Sequence, residues 1–487
     1  MYIIYLLSLL PILLLVAVSL VKEVKPAVMV GLAVTSVLFF YWGAGVNHYF
    51  GALGVSLLTT INILMIVLGA VFLYNIMSHT GLIERVTHSL DELHPSKELR
   101  FFLLAIGLTA FFEGVAGFGT PGAIVPLILM ALGFEAVLSL SVVLLLDGLF
   151  ALFGAVGTPI LIGLALPLGL PAGEIKAIGI VAAFLVSIAG VLVLWLVFWL
   201  VEKHHGSLQH RRQVLVLYTF FVVPFCIAGW LAPELATVLG ALTMLGLSVL
   251  YLRREGARID LEPWLPYAVL AGLLLLPKLL EPLRMWIGWE LVFENMFDSG
   301  IRGGIKPLQS PFLPFVVVGL GVAFFRKSKS LHLKEPLSKM GNVFVVLFPS
   351  VAIAQLMIYS GVEQPSMVRH IAELLSELGD IYPVFAPFIG VMGAFITGST
   401  TISNLVFGAS QQQAALSLGI STTIVLALQA VGASLGNAIC LFNIIAAASV
   451  ANIKNYKDIL ANNLVPTMLA ALLVGLLGIG YLLVSGK

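Results

Sequence analysis

Charge is what this sequence has least of. Asp, Glu, Lys and Arg make up 10% of its 487 residues, where a soluble globular chain carries roughly 25%. With 60% hydrophobic residues, that shortage excludes an ordinary water-soluble domain. Cysteine is nearly absent. Cys226 and Cys440 stand far apart in apolar segments, so no disulfide framework or metal-ligand spacing exists, and both read as small buried hydrophobes. No basic tract is interleaved with aromatics, which removes nucleic acid as a partner. A net charge of +1 points to no other partner. Short alternating strands are missing too, and with them a membrane β-barrel.

What the chain does have is a succession of apolar runs, each long enough at about 20 residues to cross a bilayer as a helix. The fold class expected is an all-α polytopic membrane protein, multi-pass in the cytoplasmic membrane, with the lipid bilayer as its surroundings. The N-terminal "MYIIYLLSLLPILLLVAVSLVKEVK" lacks a basic leader and a small-residue cleavage site, and reads as a retained first span. About twelve spans are expected, near 2–21, 26–44, 51–77, 137–170, 177–201, 213–232, 235–252, 263–277, 311–325, 341–359, 419–452 and 464–485. Two of them, 137–170 and 419–452, are too long for one straight crossing and carry glycines at their middle. Two further stretches, 101–134 and 381–416, have polar, glycine-containing centres. They fit re-entrant helical hairpins, which membranes tolerate only where protein or a cavity covers the irregular backbone.

Orientation follows from the basic residues. With the loop after the first span on the cytoplasmic side, 18 of the 25 Lys and Arg fall inside and 7 outside, and none is left in the bilayer. An internal repeat accompanies this pattern. "AVFLYNIMSHTGLIE" (70–84) and "SVAIAQLMIYSGVE" (350–363) align at an offset of 280, pairing Met77 with Met357, Gly81 with Gly361 and Asn75 with Gln355. Each copy runs on into an amphipathic segment, a hairpin and an over-long broken span. The segment after the first copy (78–100) holds three Lys or Arg and falls inside; its counterpart (360–380) holds one Arg among four acids and falls outside, so the copies are inverted. Inverted repeats with broken helices at matching places are the sequence pointer to a secondary transporter with a site near the midplane. The organisation expected is N-terminal spans (1–50), a first repeat (51–201), connecting spans and loops (202–340) and a second repeat (341–487). The stretch 282–310 receives no role.

"FFEGVAGFGTPGA" (111–123) places Glu113 beside a broken helix in oil. Glu113 and Asp147 are the two acids that lie well inside apolar stretches; Glu135 sits at a hairpin end. A charge at the bilayer centre costs at least ~2.5–3.5 kcal/mol. With no Lys or Arg in the membrane, such a carboxyl must face a cavity, find donors or be protonated. That suits proton coupling, and it also suits a packing hydrogen bond between helices. The second hairpin, "GAFITGSTTISNLVFGASQQQ" (393–413), is uncharged but rich in donors: Thr397, Ser399, Thr400, Thr401, Ser403 and Asn404 surround Gly398. Helix N-termini at hairpin tips favour an anion, and hydroxyls with an amide complete its shell. The alternative is that they bond back within the helix or between helices.

Two other motifs point elsewhere. "GASLG" (432–436) matches a G-x-S-x-G nucleophile elbow, but that elbow needs a strand–turn–helix and a histidine base. All nine histidines fall in loops or interfacial segments, which argues against an enzyme. "KHHGSLQHRR" (203–212) reads as a solvated basic loop.

On these residues the chain resembles the L-lactate permease family, proton-coupled carriers of lactate and glycolate. "FFEGVAGFGTPGAIVPLIL" looks like its first hallmark. "ITGSTTISN" (396–404) is similar to a second hallmark that usually reads LTGSDTSSN, and "FGAVGTPI" (153–160) also matches. The likeness runs, with interruptions, from about residue 60 to 450. It implies a symporter of small organic anions with protons, without cofactor or metal, in which Glu113 is the coupling acid, with Asp147 as the second candidate. The hairpins and broken spans would line the substrate site through Gly117, Gly119, Thr120, Thr158, Thr397, Gly398, Ser399, Thr400, Ser403, Asn404, Asn437 and Asn443. Two departures stand out. Thr400 replaces an Asp, and Asn437 replaces a Lys found in some members, which bears on which anion is carried. Looser analogy implies elevator-type motion. Sodium coupling, another organic anion, a channel and a homo-oligomer stay open.

Overall fold

The computed structural model describes residues 2–21, 24–85, 96–117, 119–252, 262–305, 307–308, 310, 312–328, 330–331, 333–450 and 456–485. Several of the basic residues counted for orientation (Lys22, Arg253, Arg254, Arg258, Lys306, Lys329, Lys454, Lys487) and three histidines (His88, His94, His332) lie outside them.

The architecture is helical, as continuous Leu, Val, Ile and Ala runs require when every backbone polar group must be satisfied within its own segment. It opens with α1 (Tyr2–Val21), α2 (Val24–Tyr41) and α3 (Val46–His79). A helix–turn–helix follows, α4 (Lys97–Val115) and α5 (Thr120–Ala131), the two packed on each other. Then comes the first broken span. It comprises α6 (Ala136–Phe150), a tight turn Ala151–Phe153, α7 (Gly154–Ile160) and a wide turn Leu161–Ala165 that runs into Leu166–Leu168. Three long helices come next: α8 (Ala172–His205), α9 (Arg211–Leu231) and α10 (Ala236–Leu252).

After α11 (Leu265–Leu279) and α12 (Glu281–Ile287), the unassigned stretch proves to hold a small two-stranded antiparallel ribbon. In it β1 (Leu291–Phe293) pairs with β2 (Gly303–Ile305), a minor addition to an all-α fold. The chain continues through α13 (Phe312–Phe325), α14 (Lys334–Tyr359) and α15 (Met367–Ser376). A bend of 103° separates α15 from the next helix. That helix, α16 (Tyr382–Thr397), forms the second helix–turn–helix with α17 (Thr400–Leu418). The second broken span is α18 (Thr422–Gly436), a turn Asn437–Ile439 and α19 (Leu441–Val450). The last helix is α20 (Tyr456–Ser485).

Among the described residues six helical segments are long and apolar enough to cross a membrane: Ala136–Leu168, Ala172–His205, Arg211–Leu231, Pro233–Leu252, Thr422–Ile439 and Tyr456–Val484. The same order of elements thus occurs twice: long helix, helix–turn–helix, broken span, long helix. The copies also pack like on like, with α3 against α14 and α6 against α18. Both broken spans are buried far more than the helices around them, 89% of each apolar window against 39% for α9 and for α20. Irregular backbone sits in the interior, where protein covers it.

Candidate functional site

The first break is backbone held in an unfavourable shape. Ala155 (φ 42°), Val156 (φ 56°) and Gly157 (φ 71°) are successive left-handed residues. For Val, a β-branched side chain, that region is a steric outlier, and each such residue costs on the order of 1–3 kcal/mol. The surroundings hold it there. The Thr158 hydroxyl donates to the Ala155 carbonyl. A side-chain carbon added to Gly157 would land on the backbone of Glu234.

Glu113 lies in the last turn of α4, just before the turn through Gly117 (φ 57°) and Gly119 (φ 78°). Its carboxyl lies against Gly154, where any Cβ would collide with Oε1. It faces the carboxyl of Asp147 on α6. Glu113 and Asp147 are both buried. Glu113 Oε2 and Asp147 Oδ1 are buried and have no hydrogen-bond partner among the described residues. Asp147 Oδ2 accepts from Asn437 Nδ2 at 2.8 Å, and Asn437 Oδ1 accepts from Asn443 Nδ2 at 2.6 Å. A line of amides therefore leads from the second break to the acids of the first half. The spans cross beside it: Ser434 Oγ donates to the Gly148 carbonyl at 2.7 Å, and a Cβ on Gly148 would lie 3.0 Å from Ala438 Cβ.

The second tip is organised differently. Gly398 (φ 72°) makes the turn, and Ser399 caps α17 by accepting from Ile402 N. Thr397 donates back to the Gly393 carbonyl at 2.8 Å, and Thr400 lies 3.4 Å from the Ala433 carbonyl. Ser403 donates to the Gly390 carbonyl at 2.8 Å. Asn404 is engaged at both ends. Its Nδ2 donates to the Pro159 carbonyl at 3.0 Å, and its Oδ1 accepts from Gln429 Nε2 at 3.3 Å. Gln429 Oε1 accepts from Gln411 Nε2 at 2.9 Å, and Gln411 Oε1 accepts from the Tyr382 hydroxyl.

The structure therefore joins Glu113, Asp147, Asn437 and Asn443 in one buried group, with Gly117 beside it: a Cβ on Gly117 would lie 2.9 Å from Ala155 Cβ. Gly119 and the half-buried Thr120 begin α5 at the first tip, next to that group in sequence. Thr158, Thr397, Ser403 and Asn404 spend their polar atoms on the fold. For the last three the bonding back and across helices that the sequence left as an alternative is what the structure shows. Asn404 latches the second hairpin to the first broken span.

Sequence reasoning missed three members of this region. Gln411 and Gln429 are fully buried amides, uncharged and therefore passed over by a search for acids and bases in apolar runs. Glu234 is a third buried acid, in "LAPEL" between two spans. Its signal was an acid flanked on both sides by apolar residues. The loop taken for solvated is also bonded: His204 Nδ1 meets Glu135 Oε2 at 2.7 Å, and His210 Nδ1 meets Glu98 Oε2 at 3.1 Å.

The profile of the L-lactate permease family matches residues 4–259 and 310–484. The chain belongs to the L-lactate permease family. A Haemophilus influenzae relative is 26% identical over 458 residues, covering 84% of this chain and 85% of that protein. The L-lactate permease of Halalkalibacterium halodurans is 24% identical over 412 residues (75% and 74%), and that of Escherichia coli is 23% identical over 466 (85% and 83%). The first match to the family runs through Glu113, Asp147, the first break and Glu234. The second runs through the latch of Asn404, Gln411 and Gln429. With its long apolar helices, this family member is a multi-pass membrane protein.

Proposed function

We propose that this chain imports lactate, or a related small 2-hydroxy monocarboxylate such as glycolate, by symport with a proton across the cytoplasmic membrane. The observation that carries the reading is the pair of buried carboxyls, Glu113 and Asp147, facing each other where the broken spans cross. Two carboxyls so placed hold at most one negative charge between them comfortably, because like charges in contact repel in a medium that cannot screen them. One proton shared by the pair relieves that repulsion, and the Asn437 amide donates to its Asp147 member.

The anion arrives with one negative charge, and one proton on the carboxyl pair balances it. The uncapped start of α5 at the first tip and the start of α17 at the second offer backbone N–H groups toward a carboxylate. Ser399 and Thr400 stand at the second start, and Thr120 at the first. Asn437 and Asn443 connect the anion side to the proton side, since the Asn437 amide reaches Asp147 and the Asn443 amide reaches Asn437. In this reading α4–α5 and α16–α17 are re-entrant hairpins, the chain makes twelve crossings, and its two repeats are inverted. Alternating access is then a movement of the hairpins and broken spans against the remaining helices, in the manner of an elevator. The like-on-like packing of α3 with α14 and of α6 with α18 supports a two-fold arrangement.

Radiolabelled L-lactate uptake into proteoliposomes under an imposed pH gradient, with and without sodium, is the test. Accumulation that follows the proton gradient and ignores sodium is the expected result. Accumulation that follows sodium alone would move the chain to a sodium-coupled carrier of the same architecture.

A further inference from the structure

A third carboxyl stands at the same junction. Glu234 sits in a short turn, Pro233–Leu235, between α9 and α10. Nothing in its neighbourhood in sequence looks catalytic, yet the turn is drawn into the protein until Glu234 is only 9% exposed. Two close approaches put it there. A Cβ on Gly157 would overlap Glu234 Cα, so the turn lies directly on the left-handed break. A Cβ on Gly114 would lie 2.9 Å from Val238 N, so the residue after Glu113 touches the helix that Glu234 introduces. Glu113, the break and Glu234 thus converge through backbone contact, which leaves little freedom in their spacing.

We infer that Glu234 is a further functional acid of the carrier, the carboxyl through which protons reach Glu113 from the outer side. The inference rests on the proton-symport reading above. Its direction comes from the packing around the turn. A Cβ on Gly179 would lie 2.7 Å from Pro233 Cγ, so the turn sits near the beginning of α8, the end that the basic-residue pattern places outside. Exposure falls in the same order, 9% for Glu234, 5% for Glu113 and 2% for Asp147.

Among the described residues, the other titratable groups on the elements packed against the turn are distant or engaged, and the turn Ala151–Phe153 carries none. α7 carries none, and α10 has only Tyr251, at its far end. On α9, Cys226 is engaged with Ser187 and Tyr218 donates to the Ser187 carbonyl. On α8, Glu174 accepts from Thr422, Lys176 is exposed at the helix start, and Glu202, Lys203, His204 and His205 lie at the opposite end. A carboxyl that takes a proton from the outer solution and hands it on forms and breaks only O–H bonds, so the balance needs no other reactant.

The test compares Glu234→Gln and Glu234→Asp with the unaltered protein in proteoliposomes. It measures pH-gradient-driven lactate uptake and, separately, lactate counterflow at equal pH, which needs no net proton movement. For the Gln variant, gradient-driven uptake is expected to fall about 100-fold while counterflow stays within about twofold; the Asp variant keeps most of both. Equal loss of uptake and counterflow in the Gln variant would make Glu234 a packing residue and overturn the inference, as would full retention of both. If the Gln variant does not fold, the Asp variant decides. Slowed gradient-driven uptake with intact counterflow supports the relay, and unchanged uptake overturns it. Unaltered protein whose uptake ignores the pH gradient would instead overturn the symport reading, and this inference falls with it.

Discussion

The two halves of this carrier place the same elements in the same order and use them for different work. The first half concentrates charge and strain: Glu113, Asp147 and Glu234 are buried near a break that holds Ala155 and Val156 in left-handed backbone. The second half concentrates neutral hydrogen bonds. Its break is a mild turn over Asn437–Ile439 that ends in an extended residue, Cys440. Its hairpin is tied down through Tyr382, Gln411, Gln429, Ser403 and Asn404. If the proposed symport holds, the two halves divide labour: both supply a helix–turn–helix and a break, and only the first supplies the acids.

Removing the acid of the first half should have the largest effect. Glu113→Gln keeps the shape and the hydrogen-bonding capacity of the side chain but cannot carry a proton. Gradient-driven accumulation is expected to vanish to the level of empty liposomes, with counterflow retained. Accumulation that persisted would take Glu113 out of the coupling role. Next is Gly157→Ala, which combines a left-handed alanine, about 1–2 kcal/mol, with overlap on the Glu234 backbone, about 1–3 kcal/mol. Thermal unfolding in detergent should show a loss of that combined size. A Gly436→Ala variant probes the corresponding glycine of the second half; there a Cβ would meet Val391 Cα at 2.8 Å, but no left-handed backbone adds to the cost.

Asn437→Ala tests the link between halves. It removes the one amide that donates to Asp147, and a buried hydrogen bond to a carboxylate contributes about 1.5–3 kcal/mol. Lactate KM should rise about 10- to 100-fold if the amide line serves transport. A loss confined to thermal stability would make it a strut. Gln429→Leu should do the reverse. It leaves Asn404 Oδ1 and Ser403 Oγ without their donor, at a cost of about 1–3 kcal/mol in stability, while KM moves within about twofold. A large KM change with unaltered stability would return the second hairpin to the role of binding surface that its composition suggested.

Much of this was legible in the sequence because oil makes charge conspicuous. Glu113 and Asp147 stood out because a carboxyl is expensive in an apolar stretch. The two helix–turn–helices and the broken helices were legible because glycines and hydroxyls interrupt otherwise uniform apolar runs. Glu234 was hidden because its position between two spans reads as a surface turn, and only the contact with Gly157 carries it inside. The direction of the Asn404 amide was equally hidden. Whether an asparagine faces a ligand or a carbonyl depends on where Pro159 lies, 245 residues away in sequence. The left-handed backbone at Ala155 and Val156 could not be read at all, since neither residue favours it.

The smallest expected effect lies at the loop after α8, which composition alone made look solvated. Glu98, at the start of α4, accepts from the backbone N–H groups of Gln209 (3.0 Å) and His210 (2.8 Å) and meets the His210 ring at 3.1 Å. The backbone bonds do not depend on the ring. His210→Ala should therefore cost under about 0.5 kcal/mol, the ordinary worth of a partly exposed pair. Glu98→Ala removes all three contacts and should cost about 1 kcal/mol or somewhat more. Both values are read from thermal unfolding in detergent, with lactate uptake unchanged in each variant. If His210→Ala alone lowered uptake, the loop would take part in transport, and the comparison of the halves would have to include this end of the first one.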